Sequence, residues 1–168
     1  MFRKLFSLLL SFTLLYFPSC KKANEYDYTP NISFKSFTTD KDASGRDILG
    51  HITISFTDGD GDLGLDPADT LSTYSQSGPY YYNFIITYHE KNSSGVWTTP
   101  TLAFPLSGRF ITLTPQGRNK ALRGDITMDV FLRPGATNLT TKYDIFIYDR
   151  ALHHSNPITT PEITITTP

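Results

Sequence analysis

Ile48-Leu49-Gly50-His51-Ile52-Thr53-Ile54-Ser55-Phe56 alternates apolar and polar side chains with a period of two. Ile48, Ile52, Ile54 and Phe56 share one parity, interrupted by Gly50, and His51, Thr53 and Ser55 share the other. That period marks a strand with one face in a core and the other in water. Working outward, the pattern recurs. Asn31 to Thr38 puts Ile32, Phe34 and Ser36 on one parity and Ser33, Lys35 and Phe37 on the other. Tyr80 to His89 puts Tyr80, Tyr82, Phe84, Ile86 and Tyr88 on one face. Asn92-Ser93-Ser94-Gly95 reads as a hairpin turn into Val96-Trp97-Thr98. Asp125 to Leu132 alternates Ile126, Met128, Val130 and Leu132. Lys142 to Tyr148 is apolar on both parities, as expected of a central strand. Shorter strands are expected at 102–106, 109–114 and 162–167. Sustained helical spacing is missing outside the N-terminal segment, and aromatic residues make up 14% of the chain. Many short strands separated by turn residues predict an all-β antiparallel sandwich of about 7–9 strands.

The alternation that ends at Phe56 runs into Asp58-Gly59-Asp60-Gly61-Asp62-Leu63-Gly64-Leu65-Asp66, with Asp69 following. Counted from Asp58 as position 1, the carboxylates fall at 1, 3, 5, 9 and 12, with Gly64 at 7 and Leu65 at 8. Those are the positions from which an EF-hand loop supplies side-chain oxygens, with a backbone carbonyl from 7. The stretch therefore resembles EF-hand-like and dockerin-like calcium loops, with Asp58, Asp60, Asp62, Gly64, Asp66 and Asp69 as the ligand set that resemblance implies. It departs from them at Leu63, which stands where the sharp turn wants glycine. Asp69, one methylene shorter than the usual Glu, and the strand-like flanks are further departures. An all-oxygen set favours Ca²⁺ or Mg²⁺ over Zn²⁺. Asp-Gly repeats are also good turn chemistry. A solvated acidic turn, or neutralisation by Arg150 or another arginine, therefore stands beside the ion. The 58–79 stretch carries no strand pattern, and loops of that length are usually functional or disordered.

At the other end, Arg3 and Lys4 precede an apolar run from Leu5 to Phe17, the charged head and apolar body of a secretory signal. The run falls short of the roughly 20 residues of a membrane span. It ends in Phe17-Pro18-Ser19-Cys20, and Cys20 is the sole cysteine. This resembles a bacterial lipobox, which implies a diacylated Cys20 as the new N-terminus, with palmitate-type anchoring in an outer membrane. The expected organisation is a signal segment over 1–19, a lipidated tether over 20–29 and one domain over 30–168. Without residues 1–19 the chain carries 13 basic and 16 acidic side chains, a net charge of −3. That balance argues against a nucleic-acid partner.

Leu132-Arg133-Pro134-Gly135-Ala136-Thr137, followed by Tyr143-Asp144-Ile145-Phe146-Ile147-Tyr148-Asp149, resembles the E–F corner and F strand of fibronectin type III and other immunoglobulin-like sandwiches. An insertion separates the Pro-Gly turn from Tyr143, which departs from the tyrosine-corner pattern. The chain as a whole is similar to uncharacterised bacterial lipoproteins with immunoglobulin-like domains. The features that carry this likeness are Cys20, Phe56-Thr57-Asp58-Gly59-Asp60-Gly61-Asp62-Leu63-Gly64 and Asp149-Arg150-Ala151. The resemblance brings no assigned activity.

Enzyme signatures are missing: the chain has no Gly-x-Ser-x-Gly elbow, no phosphate-cradling glycine loop and no His-Glu-x-x-His. Adjacent His153 and His154 would diverge in an extended chain, so a solvated loop is expected there, and His51 is expected to be a satisfied or edge residue. Tyr81 and Trp97 are the candidates for an exposed platform that stacks on sugar rings. Asp69-Thr70-Leu71 matches a short O-glycosylation pattern with Thr70 as acceptor. The expectation is a non-enzymatic, calcium-stabilised outer-membrane lipoprotein that binds a glycan or an envelope protein. A purely structural envelope lipoprotein with no ligand is the alternative, and a hydrolase with an unrecognised site comes last.

Overall fold

The computed structural model describes residues 26–113, 120–132 and 139–166. Cys20, the signal segment and the first part of the tether lie outside the described residues, as does the Pro134-Gly135 turn. The period-two segments form strands β1 (Asn31–Lys41), β2 (Asp47–Asp58), β3 (Phe84–Lys91), β4 (Trp97–Thr98), β5 (Leu122–Phe131), β6 (Leu139–Ile147), β7 (Ile158–Thr159) and β8 (Ile163–Ile165). The protein is all-β. One sheet has the order β1-β2-β5, the other β4-β3-β6-β7 with β8 also on β6, and every pairing is antiparallel. The two sheets share one core. Ile32, Ile52, Ile54, Phe56, Ile126 and Val130 come from the first, and Phe84, Ile86, Tyr88, Tyr143, Ile145 and Ile147 from the second. Tyr143 joins the layers, with its ring 5.8 Å from Phe37 and 5.7 Å from Tyr88. Burial pushes its hydroxyl up to about 12.

Two irregularities in the first hairpin correct the simple alternation. Phe34 pairs with Ile54 but Ser36 pairs with Thr53, so Lys35 is an extra residue. A one-residue bulge exchanges the two faces of a strand. Ile32 and Phe34, opposite Phe56 and Ile54, consequently keep the core-side parity, and beyond the bulge Phe37, opposite Ile52, takes it over from Ser36. Asp40 pairs with Leu49 but Lys41 with Asp47, which leaves Ile48 over. Ile48 is 51% exposed, and Asp47 is buried in its stead. Asp47 accepts hydrogen bonds from Thr39 Oγ1, Lys41 Nζ and the Thr166 amide. These hold its carboxyl below the usual range against the opposing effect of burial.

β3 begins at Phe84, whereas the aromatic alternation predicts Tyr80. Asn83 explains the late start. Its buried side-chain amide donates to Phe110 O at 3.0 Å and accepts from Phe110 N at 2.9 Å. One side chain thus does the work of a backbone pair, and Tyr80–Tyr82 lie outside the strand. Among the described residues, the segment expected as a strand at 102–106 makes no bridge and that at 109–114 makes one isolated bridge, Ile111 with Leu65; another joins Gly108, between the two segments, to Phe84. The Asn92–Gly95 turn forms as expected, with Gly95 at φ +77 and Asn92 Oδ1 accepting from Ser94 N and Val96 N. No helix among the described residues is long and apolar enough to cross a membrane.

Candidate metal centre

Beyond the bulge, Gly50, Ile52, Ile54, Phe56 and Asp58 are the buried residues of β2, so the alternation that builds the core also carries a carboxylate into it. Asp58 is 0% exposed. Its Oδ2 accepts from the Gly61 amide at 2.8 Å. Gly61, at φ +74, adopts a left-handed turn that glycine makes without penalty. The turn returns the chain so that one carboxylate oxygen from each of Asp58, Asp60 and Asp62 lies within 4.8 Å of the other two. Oδ1 of all three residues is buried and has no hydrogen-bond partner. Burial, then the neighbouring charges of Asp60, Asp62 and Asp149, push the Asp58 carboxyl up to about 6. Burial, then Asp149 and Asp60, push Asp62 up to about 6 as well. Two like charges 4.8 Å apart repel by roughly 3.5 kcal/mol at an effective dielectric near 20.

The other half of the acidic loop is neutralised. Arg150 Nη1 lies 2.8 Å from Asp69 Oδ2 and 3.1 Å from Asp66 Oδ2, and Nη2 donates to Asp69 Oδ1 at 2.9 Å. Thr112 Oγ1 donates to Asp66 Oδ1, and Arg109 Nη2 donates to the carbonyls of Asp66 and Asp69. The structure thus brings Asp58, Asp60 and Asp62 together and gives Asp66 and Asp69 to Arg150. The EF-hand register does not carry past position 5. The left-handed residues are Gly61 and Gly64 (φ +94), which spares Leu63 the expected strain. Leu63 is a buried core residue bridged to Asp149. Gly64 packs so closely that a Cβ would stand 2.2 Å from Ile111 O.

Asp149 stands outside the ligand set that the calcium-loop resemblance implies, although its parity reveals it. Thr141, Tyr143, Ile145, Ile147 and Asp149 are the successive buried residues of β6 and its continuation, so one strand of each sheet delivers a carboxylate to the same end. Asp149 binds the His153 amide through Oδ1 and His153 Nδ1 through Oδ2, both at 2.7 Å, which raises the His153 pKa. The intervening turn reaches the acidic loop: Arg150 N donates to Asp62 O at 3.2 Å and Ala151 N to Asp62 Oδ2 at 3.0 Å. His154 diverges from His153 and stacks on Phe146, with ring centroids 4.0 Å apart. His51 is satisfied on the central strand β2, between Asp129 at 2.7 Å and Asp40 at 3.2 Å.

Tyr81 and Trp97 are not brought together. Tyr81 precedes β3, under Arg109 and edge-on to Tyr82. Trp97 pairs with Lys91 at the opposite end of β3 and lies between the ammonium groups of Lys91 and Lys142. The seven steps from Phe84 to Lys91 separate the two ends by about 23 Å. Thr70 is exposed in the 58–79 loop. An apolar cavity of about 380 Å³ lies between Tyr88, Leu102, Leu106 and Leu132.

An all-oxygen trio with partnerless, buried Oδ1 atoms fits a hard divalent cation, which would neutralise the charges that raise Asp58 and Asp62. The donor set offers neither sulfur nor imidazole. No protein-family model, curated protein or solved structure matches the chain.

Proposed function

We propose that the chain is a lipid-anchored accessory module of the outer membrane, an immunoglobulin-like sandwich that Ca²⁺ stabilises at Asp58, Asp60 and Asp62. The observation that carries the cation is the set of three buried Oδ1 atoms without partners. Arg150, the alternative counter-charge, is spent on Asp66 and Asp69. What supports the immunoglobulin-like reading is strand order. Taken as A, B and E, β1-β2-β5 make one sheet; taken as C′, C, F and G, β4-β3-β6-β7 make the other. The anchor rests on Cys20 and its lipobox-like setting. The partner is taken to be an envelope protein rather than a glycan, because Tyr81 and Trp97 do not form one platform.

Melting in about 1 mM Ca²⁺ and in chelator tests the cation. With a Kd near 10⁻⁴ M, typical of extracellular modules, binding adds about 1.4 kcal/mol. For a domain of this size that is a rise of roughly 3–6 °C. Equal melting in both buffers would retire the site. The anchor is tested by a palmitate label on the expressed full chain, expected to vanish in Cys20→Ser; a label that persists in the variant refutes it.

A further inference from the structure

Asp58, Asp60 and Asp62 hold between them a glycine that touches the beginning of the domain. Gly59 packs against the main chain of Tyr26 and Asp27 so closely that a Cβ would stand 2.4 Å from Tyr26 O and 2.7 Å from Asp27 O. The antiparallel ladder explains the contact. Asn31 pairs with Thr57, so the chain before Asn31 runs back beside the chain after Thr57, along the acidic loop. Within 26–30 only Pro30 is buried; Tyr28 is 65% exposed, and Thr29 N bonds to Asp27 Oδ1 inside the same segment. On its other flank the loop is fastened to Arg150 and Ala151 through Asp62.

We infer that a divalent cation bound by Asp58, Asp60 and Asp62 clamps residues 26–29, the end of the tether, onto the domain. This rests on the cation site proposed above. Gly59 can keep its close approach only while Asp58 and Asp60 are both held in place. Three carboxylates crowded within 4.8 Å repel when no cation joins them, which opens the loop from Asp58 to Asp62. Opening moves Gly59 away from Tyr26 and Asp27. The cation therefore governs how closely the domain sits on its tether.

Chymotrypsin cleavage of the full-length chain after Tyr26 and Tyr28, followed by mass spectrometry, tests the clamp. Cleavage after Phe131, exposed to 80% at the end of β5 away from the loop and followed by Leu132, is the internal control. Calcium titration by calorimetry on the same sample reports binding. The expected result is cleavage after Tyr26 and Tyr28 slowed on the order of tenfold by Ca²⁺, the population shift of a 1.4 kcal/mol linkage, with the Phe131 rate unchanged. Calcium binding without protection overturns the clamp and leaves the cation site standing. An absence of calcium binding overturns both. Equal acceleration at Phe131 in chelator means general unfolding and also overturns the clamp. Gly59→Ala supplies the second arm, because its Cβ cannot coexist with the Tyr26 carbonyl. It should be cut after Tyr26 and Tyr28 at the chelator rate even in Ca²⁺, and wild-type protection in that variant would count against the clamp.

Discussion

Asp58 and Asp62 carry opposite energetic signs according to what lies between them. Without a cation each is a buried carboxylate among like charges, with its pKa pushed up to about 6. With one, the same oxygens are ligands. Asp62→Asn should therefore raise the melting temperature in chelator, by an amount corresponding to about 1–3 kcal/mol, since it deletes a repelling charge. In Ca²⁺ the substitution should lower it and abolish the calcium-induced rise. The crossing of the two effects is diagnostic; destabilisation in both buffers would mean that Asp62 acts only through its hydrogen bond to Ala151 N. At this scale the sequence was informative about chemistry, because three alternating Asp residues with glycine between them are plain to read. It offered Arg150 as a counter-charge for the loop but did not record that its guanidinium goes to Asp66 and Asp69, more than 80 residues away, rather than to the trio. It was nearly silent on Asp149, legible only as the next buried parity of β6.

At the scale of elements, each departure from alternation has a local cause. Lys35 and Ile48 are bulge residues, and their displacement exchanges which neighbours face the core. Asn83 replaces a backbone pair and delays β3. β7 and β8 are two short strands separated by Pro161, where one strand over 162–167 is the simpler expectation. The bulge at Ile48 predicts a contrast between two isoleucines. Ile145, fully buried on β6, should lose about 2–5 kcal/mol on substitution by alanine. Ile48→Ala should stay within about 0.5 kcal/mol, as expected of an exposed site. Urea unfolding of both variants checks this, and a large loss at Ile48 would mean that β2 pairs without its bulge. Strands such as β2 and β5 were legible because burial on one face writes a period of two into the chain, and β6 because it is a short run apolar on both parities. Bulges and the 102–106 segment were not, since a single inserted residue or an unpaired extended run leaves the local composition unchanged.

For the whole molecule, the acidic cluster sets how stability responds to pH. Asp58 and Asp62 titrate near 6 in the fold against 3.8 in the open chain. Between those values the native state holds more protons than the unfolded state, so stability falls as pH rises from about 4 to 6. His51 and His153, with pKa values raised by their carboxylate partners, lose their contribution as pH rises further. Asp42, Asp47, Asp125 and Asp144, all lowered, lose theirs as pH falls below the ordinary carboxylate range. In chelator the optimum should lie on the acid side, around pH 4–5; Ca²⁺ should shift it upward by keeping Asp58 and Asp62 ionised. Melting across that range with and without Ca²⁺ checks the shift, and identical profiles would contradict it. The sequence by itself determined the all-β class, the positions of the long strands and an oxygen-rich acidic loop, because strand period and ligand chemistry are local properties of the chain. Only the tertiary structure decided how the five carboxylates of that loop divide, Asp66 and Asp69 to Arg150 and the trio to one another. That division depends on which distant side chain the packing of β6 beside β3 and the loop brings within hydrogen-bonding distance, and no local pattern records it.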